Sequence, residues 1–246
     1  MSSVNLKDNE RLDELNREGF QIIQNPEYFC FGMDAVLLSD FASIKAHERA
    51  IDLGCGNGII PILLAAKNPG ADFFGLEIMP ELVDMARRSI ILNGLQDRIE
   101  IACGDIRDID NEKHFVSSSF DVVTANPPYL EADGLISENS ARAIARHEIK
   151  CNINDIVSAA AYLLRFAGRF YLVHRPHRLI DVFCALRSQK LEPKVLRYVQ
   201  PKAGKAPNLV LIEAIKGAKP HLKILPNLII YDNAGKYTKE VEEIYG

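Results

Sequence analysis

The segment from Asp52 to Gly58, which reads Asp-Leu-Gly-Cys-Gly-Asn-Gly, constrains the fold of this chain more than any other feature. It follows a short apolar run at residues 50–54 and precedes an apolar, helix-like run that begins at Ile59. Three glycines at every second position let the backbone turn tightly and approach a ligand without intervening side chains. A strand, a glycine-rich turn and a helix in this order predict the first unit of a parallel α/β sheet.

Further apolar runs along the chain repeat this alternation of strand and helix. Strands are predicted at residues 72–77, 98–103, 120–126 and 168–174, and helices at 80–94, 153–166 and 177–188. Two final apolar runs, at 194–201 and 208–216, are joined by a short basic loop, which predicts an antiparallel hairpin. The sequence therefore predicts an α/β fold with a seven-stranded, mostly parallel sheet, helices on both faces and an antiparallel edge strand.

The residues before the first strand are expected to form an N-terminal extension. Within it, residues 35–42 read as a helix, and Asp34 directly precedes them as a candidate N-cap. The chain begins with polar and charged residues, and no apolar run approaches the length of a membrane span. We therefore expect a cytoplasmic protein without a membrane partner.

The five cysteines are odd in number and scattered along the chain, and none shows a spacing typical of metal ligands. Free thiols buried in the core are the simplest interpretation of this pattern. We expect neither a disulfide framework nor a bound metal.

Three acidic residues stand at the ends of successive predicted strands. Asp52 comes directly before the glycine loop, Glu77 ends the second strand, and Asp105 follows the third. Each alone is equally consistent with an ordinary strand-end or capping residue. Because ligands of open parallel sheets bind at the carboxyl edge of the strands, their order favours one shared ligand site.

The chemistry of these side chains indicates which ligand groups they could meet. An acidic residue before GxGxG suits a ligand that carries an amino acid, whose ammonium Asp52 could bind. Glu77 could accept hydrogen bonds from both hydroxyls of a ribose, although NAD sites use the same position. Asp105 could hold an adenine amine between the apolar walls Ile78 and Ile106. The predicted cofactor site also includes Gly54, Gly56, Asn57 and Gly58.

The tetrapeptide Asn126-Pro127-Pro128-Tyr129 follows the fourth predicted strand. The prolines lack amide hydrogens and fix φ, so the Asn126 side-chain oxygen and the Pro127 carbonyl could accept both hydrogens of one amino group. Paired acceptors favour the pyramidal geometry in which the lone pair of an aromatic amine becomes available. Tyr129 could stack on a flipped base, which contributes about 1–3 kcal/mol in comparable stacks. An isolated copy would read as a rigid turn, but its place after a glycine loop favours catalysis, with Asn126 also facing the cofactor.

Charge is distributed unevenly along the chain. Residues 1–129 hold 11 Lys and Arg against 21 Asp and Glu, whereas residues 142–223 hold 16 basic residues against 5 acidic ones. A basic segment of this kind can neutralise phosphates, although solvated helix faces would give the same count. The candidates for contact with the phosphates of a nucleic acid are Arg142, Arg146, Lys150, Lys202 and Lys205, whereas His147 reads more simply as a structural residue.

The stretch from Asp52 to Tyr129 resembles the class I, Rossmann-like, S-adenosylmethionine-dependent amino-methyltransferases, in which these two motifs stand at this spacing. More closely, the chain is similar to the bacterial tRNA(Val) adenine-N6 methyltransferases through residues 29–38, both motifs, residues 145–148 and residues 237–241. Met33 departs from the Thr-like residue that many relatives carry there.

This resemblance implies S-adenosyl-L-methionine as the cofactor and methylation of an adenine at tRNA position 37. It implies that a segment from Phe31 to Asp34 folds over the cofactor. Residues 1–47 would then be an extension and cofactor lid, and residues 48–246 the methyltransferase domain. The oligomeric state stays open.

Other functions share parts of this pattern. NPPY also occurs in methyltransferases that act on protein glutamine and on guanine N2 of rRNA, so the motif identifies the chemistry better than the substrate. An NAD-dependent oxidoreductase would explain the glycine loop and Glu77 but not NPPY. A catalytically dead RNA-binding module is disfavoured because Asp52, Asp105 and Asn126 are all present.

Overall fold

The fold is taken from a computed structural model, which describes residues 4–15, 17–28, 30–112, 115–128 and 151–246. The strands are β1 (Arg11–Glu14), β2 (Gln21–Gln24), β3 (Arg49–Leu53), β4 (Asp72–Glu77), β5 (Ile99–Cys103), β6 (Phe120–Ala125), β7 (Leu164–His174), β8 (Leu191–Lys202), β9 (Leu209–Lys216), β10 (Lys223–Ile224) and β11 (Leu228–Tyr231). The helices are α1 (Met33–Phe41), α2 (Ile59–Lys67), α3 (Pro80–Leu92), α4 (Ile153–Leu163), α5 (Leu179–Ser188) and α6 (Lys239–Tyr245), with 3-10 turns at Ile106–Asp108 and Pro176–Arg178.

The main sheet has the strand order β5-β4-β3-β6-β7-β9-β8, and β10 and β11 both pair with β8. Within it, β9 runs antiparallel to β7 and β8, and the other pairs are parallel. The predicted Rossmann-like, mostly parallel architecture is confirmed, but the sheet has nine strands instead of the predicted seven, because the short strands β10 and β11 also pair with β8. The antiparallel strand, however, lies inside the sheet rather than at its edge. Five of the eight residues of β9 are buried, including the first four, whereas most residues of β8 are half-buried, which suits a position nearer the edge of the sheet.

The ends of the helices follow from local sequence signals. Helix α3 begins with Pro80 and ends before Gly94, which adopts a left-handed φ of +67°. Helix α4 begins with a capping box in which Asn152 and Asp155 bind each other's backbone amides. It ends at Leu163, three residues earlier than predicted, because β7 already begins at Leu164.

The N-cap prediction for Asp34 is wrong. Helix α1 begins two residues earlier than residue 35, with Gly32 at the N-cap, so Asp34 lies inside the first turn. Its Oδ1 accepts a hydrogen bond from the amide of Ala35 at 2.9 Å. A carboxylate in the first turn still interacts favourably with the positive end of the helix dipole.

The N-terminal extension shares the core of the sheet domain. Leu37 and Leu38 of α1 are fully buried against α2 and β7. The β1–β2 hairpin is bound to α3, because the amide of Ile23 donates to Ser89 Oγ at 3.0 Å and Gln21 exchanges two hydrogen bonds with Asn93. The predicted boundary between residues 1–47 and 48–246 therefore does not separate two hydrophobic cores.

All five cysteines are free, as predicted, but only Cys55 is buried, while Cys103 and Cys184 are exposed. The expectation of buried thiols is therefore wrong for most of them. In the described ranges, none of the helices combines the length and the apolar character that crossing a membrane requires.

Candidate active site

The predicted site residues meet at the carboxyl edge of the sheet because of strand register. Leu53 of β3 is aligned with Leu76 of β4 on one side and with Ala125 of β6 on the other. The residues that follow, Gly54, Glu77 and Asn126, therefore stand level on three neighbouring strands. Adjacent strands lie about 4.8 Å apart. The Asn-Pro-Pro turn thus lies beside the glycine loop.

The glycine loop adopts backbone conformations that favour glycine. Gly54, Gly56 and Gly58 all have positive φ, at +73°, +56° and +85°. A Cβ on Gly56 would meet nothing within 4 Å, and one on Gly54 would meet only the tip of Ile106 at 3.9 Å. The loop therefore exposes backbone to open space, where a ligand can approach it closely.

Glu77 ties this loop to the end of β4. Its Oε2 accepts the amide of Gly56 at 2.9 Å and its Oε1 accepts the amide of Met79 at 3.0 Å. The side chain is mostly buried, at 7% exposure. One carboxylate thus fixes the position of two backbone segments around the candidate cofactor site.

Asp52 lies beneath the loop, with only 2% exposure. Its Oδ1 accepts a hydrogen bond from Thr124 Oγ1 of β6 at 2.6 Å. The pKa of Asp52 is raised to about 8, mainly by burial, with a smaller contribution from the nearby charge of Glu77, whereas the Thr124 hydrogen bond opposes the change. A buried carboxylate of this kind gains most from a cationic partner, which the ammonium of an amino-acid ligand would supply.

This pKa predicts a pH dependence of stability. Between its usual value of 3.8 and about 8, folded Asp52 holds a proton that the unfolded chain releases, so the free energy of unfolding falls as pH rises. His174, whose pKa burial lowers from 6.5 to about 4, has the opposite effect, but only below about pH 6.5. Between pH 6.5 and 8 we expect the free energy of unfolding to fall by up to about 1.4 kcal/mol per pH unit.

Urea unfolding of the cofactor-free protein across this window measures the slope. The Asp52→Asn variant keeps an acceptor for Thr124 but cannot ionise, so its slope should be nearly flat. His174→Gln is the control and should keep the wild-type slope above pH 6.5. An Asp52→Asn variant with the wild-type slope would contradict the assignment.

Asp105 and its neighbours form the far side of this region. Asp105 caps the 3-10 turn by accepting the amide of Arg107 at 2.9 Å, and the Arg107 guanidinium also binds it. This contact lowers the pKa of Asp105, which is therefore ionised. Ile78 and Ile106 are both half-buried. The structure thus gives Asp105 the capping role that its sequence position also suggested, and an adenine amine would have to share it with Arg107.

Asn57 supports the loop from behind. It is 5% exposed, and its Nδ2 donates to the carbonyl of Ile23 in the N-terminal hairpin at 3.1 Å. The amide nitrogen therefore holds the extension to the loop. Phe31 is half-buried and packs against the same core as α1, and its amide donates to Gln24. The lid over the cofactor predicted for Phe31 and Asp34 stays a prediction.

The candidate catalytic turn follows β6 directly. Asn126 is half-buried, Pro127 is buried and Pro128 is exposed. Tyr129 lies outside the described residues, as do Arg142, Arg146, His147 and Lys150. The described part of the turn therefore comprises the two predicted acceptors and the second proline.

A cleft beside this turn contains residues that the sequence prediction missed. Pro127 and Pro128 line it together with four basic residues, His174, Arg175, His177 and Arg178. Strand register explains this, because Ala125 of β6 is aligned with Leu172 of β7. The sequence contains a signal for this group, because the run His-Arg-Pro-His-Arg at residues 174–178 places four basic side chains at the end of a predicted strand.

The basic span is less available for RNA than its count suggests. Ion pairs engage Arg165 with Asp121, Arg169 with Glu48, Arg187 with Glu192 and Arg197 with Glu240. Lys202 and Lys205, in contrast, are exposed, at the carboxyl end of β8 and in the turn after it. Of the five predicted RNA contacts, these two are the ones that the structure describes.

The loop glycines allow a test of the backbone geometry. A Cβ on Gly58 would lie 3.1 Å from that of Ala86, whereas a Cβ on Gly56 would meet open space. Both substitutions strain a left-handed residue by about 1–2 kcal/mol, and only Gly58→Ala adds overpacking. We expect Gly58→Ala to lower the free energy of unfolding by about 2–4 kcal/mol and Gly56→Ala by about half as much. Urea titration measures both, and equal losses would contradict this account.

The fold, the glycine loop and the Asn-Pro-Pro turn together define a class I S-adenosylmethionine-dependent methyltransferase. Residues 44–200 match the family model described as a methyltransferase domain. A relative from Porphyromonas gingivalis, named tRNA1(Val) (adenine(37)-N6)-methyltransferase, is 31% identical over 217 residues, which span 85% of this chain and 84% of the relative. A protein of the same name from Haemophilus influenzae is 29% identical over 92% of this chain and 93% of its own length.

The chain therefore belongs to the methyltransferase-domain family and, within it, to the family of these bacterial tRNA1(Val) (adenine(37)-N6)-methyltransferases. It is an S-adenosylmethionine-dependent N-methyltransferase. A solved structure from Agrobacterium tumefaciens, described as a predicted O-methyltransferase, superimposes with a TM-score of 0.71 at 24% identity, over 87% of this chain and 95% of that one. At that identity the likeness supports the fold alone.

Proposed function

We propose that this enzyme methylates the N6 amine of an adenine in tRNA, at position 37 of tRNA(Val). The names of its relatives support this substrate. The structural observation that supports it is the strand register, in which Asn126 is level with Gly54 on the neighbouring strand and Glu77 is level with Gly54 on the other side. An amine bound at the Asn-Pro-Pro turn would then lie next to the cofactor.

The residues present fit S-adenosylmethionine, whose sulfonium supplies an activated methyl group. Asp52 would hold its ammonium, because a buried carboxylate gains most from a charged donor. Glu77 would hold the ribose hydroxyls at the end of β4. The open space next to Gly54 and Gly56 would let the ligand approach the loop backbone closely, with Ile106 as an apolar wall.

The Asn-Pro-Pro turn orients the substrate amine. The Asn126 Oδ1 and the Pro127 carbonyl would each accept one of its hydrogens, which aligns the nitrogen lone pair with the incoming methyl group. Because Pro127 is buried and the proline rings restrict the backbone of the turn, the Pro127 carbonyl is held in one position. Alignment of two reacting groups by fixed acceptors is the source of most of the rate in this scheme.

The test is to incubate the protein with labelled S-adenosylmethionine and unmodified total tRNA, and then to analyse the nucleosides. Parallel reactions contain ribosomal RNA and a protein with an accessible glutamine, such as a release factor, because their amino groups offer the same two hydrogens. We expect N6-methyladenosine from the tRNA reaction. Label in N2-methylguanosine or in methylglutamine would overturn the proposed substrate.

A further inference from the structure

The cleft beside the Asn-Pro-Pro turn is lined by residues of two chemical kinds. The apolar ones are Pro127 and Pro128 together with Ile153 and Ile156 from the start of α4. The basic wall consists of His174, Arg175, His177 and Arg178, at the end of β7 and in the 3-10 turn that follows. Among the residues known to line it, all within the described part of the chain, there is no carboxylate. A cleft of this kind suits a ligand with a flat apolar part and an anionic part.

Arg175 is held in place by the backbone. Its Nη1 donates to the carbonyl of Asn208 at 3.1 Å, and its amide donates to His174 Nδ1 at 2.8 Å. Asn208 closes the loop that carries Lys202 and Lys205. The cleft therefore adjoins a second basic segment of the surface.

His174 adds an uncharged donor at the same place. Because its Nδ1 accepts the amide of Arg175, the neutral ring carries its proton on Nε2. Burial and the charge of Arg178 lower the pKa of His174 to about 4, so the ring is neutral under physiological conditions. The positive charge of this wall is therefore provided by the arginines.

Arg178 has N–H donors that a ligand can reach. Its Nε donates to Asp181 at 2.7 Å, but both side chains are exposed, at 39% and 58%, and such pairs contribute little. A guanidinium has five N–H donors, so several remain available for bidentate binding of an anion.

We propose that Arg175 and Arg178 bind a phosphate that flanks the target nucleotide, so that the flipped base enters the cleft beside Pro127. This inference rests on the proposed nucleic-acid substrate. It assigns to the 174–178 segment the role of fixing the nucleotide from its phosphate, while the Asn-Pro-Pro turn fixes it from its amino group. Arginine is the side chain best suited to this task, because its fork matches two phosphate oxygens.

The test uses Arg178→Gln, because Arg178 occupies the N-cap of α5 without a side-chain capping bond, so its loss should leave the fold intact. The matched control is Arg187→Gln on the same helix, since Arg187 also forms an exposed ion pair, with Glu192. Nine residues of helix place it about 13 Å further along the axis. Arg178→Lys retains the charge without the fork. Thermal melts of each variant check the fold.

The substrates are ligated tRNA transcripts in which one linkage, either 5′ or 3′ of the target adenosine, is an uncharged methylphosphonate. We expect one of the two to lower kcat/KM of the wild type about 10-fold. Arg178→Gln should lower kcat/KM for the unmodified transcript about 10-fold and then lose less than 2-fold more on that methylphosphonate. Arg178→Lys should recover part of the activity, and Arg187→Gln should behave as wild type.

If Arg178→Gln loses as much on the methylphosphonate as the wild type does, the phosphate assignment is wrong while the proposed function stands. If the wild type methylates a guanine instead, the proposed function is wrong, and the same two linkages around that guanine still decide the assignment. Methyl transfer to protein glutamine would overturn both, because that substrate has no backbone phosphate.

Discussion

Replacement of Asn126 by alanine is expected to lower kcat of methyl transfer about 100- to 1000-fold, which is the usual effect of removing one preorganised polar group from a transition state. The variant loses the side-chain oxygen that would accept one hydrogen of the substrate amine, while the Pro127 carbonyl remains. Because Asn126 lies just beyond the end of β6 and is only half-buried, the truncation should leave the sheet intact.

Single-turnover kinetics with saturating tRNA measures this effect on the chemical step. Calorimetric titration with S-adenosylhomocysteine should give a dissociation constant within about 3-fold of wild type, since most of the residues proposed to hold the cofactor lie at the ends of β3 and β4. The matched control is Asn233→Ala, which removes an exposed asparagine from a surface turn and should change neither quantity. Full turnover by Asn126→Ala would reject the acceptor role of this residue.

The arrangement of the candidate site residues was predictable from sequence because a parallel sheet converts order along the chain into position along one edge. Each of these residues stands at the end of a strand, and the observed register places them at the same height along the sheet edge: the glycine loop, Glu77 and Asn126. The apolar runs also predicted the seven longest strands of the sheet, but not the short strands β10 and β11. What each polar side chain binds could not be read in the same way, because that depends on partners distant in sequence.

Asn57 and Asp105 illustrate this limit. Both stand at the predicted edge, but Asn57 donates to Ile23 of the extension and Asp105 binds Arg107. The extension had no clear strand signal, since β1 and β2 are four residues each. The contact of the extension with the glycine loop could therefore not be predicted from a local sequence pattern.

Net charge was the least reliable of the sequence signals. The basic span includes Arg169, which is largely buried and bound to Glu48, a residue 121 positions earlier in the chain. A count along the sequence cannot separate such structural arginines from those that remain at the surface. The same count includes Arg175 and Arg178, and it does not show that the pairing of β6 with β7 brings them close to the Asn-Pro-Pro turn.

Substitution of Glu77 by alanine is expected to raise the dissociation constant of S-adenosylhomocysteine about 100-fold. A hydrogen bond to a charged group contributes about 1.5–3 kcal/mol, and the variant loses those that Glu77 would make to the ribose. It also loses the acceptors for the amides of Gly56 and Met79, so part of the effect could come from a displaced loop.

A ligand without ribose hydroxyls separates direct binding from loop support. The 2′,3′-dideoxy analogue of S-adenosylhomocysteine should bind the wild type about 100-fold more weakly than the parent ligand, but should bind Glu77→Ala nearly as well as the parent does. If Glu77 acted only through the loop, both proteins would lose equally on the dideoxy analogue. Glu100→Ala, which removes an exposed carboxylate from the neighbouring strand β5, is the matched control and should bind both ligands as the wild type does. This result would assign Glu77 to the ribose hydroxyls by direct measurement, in addition to its position at the end of β4.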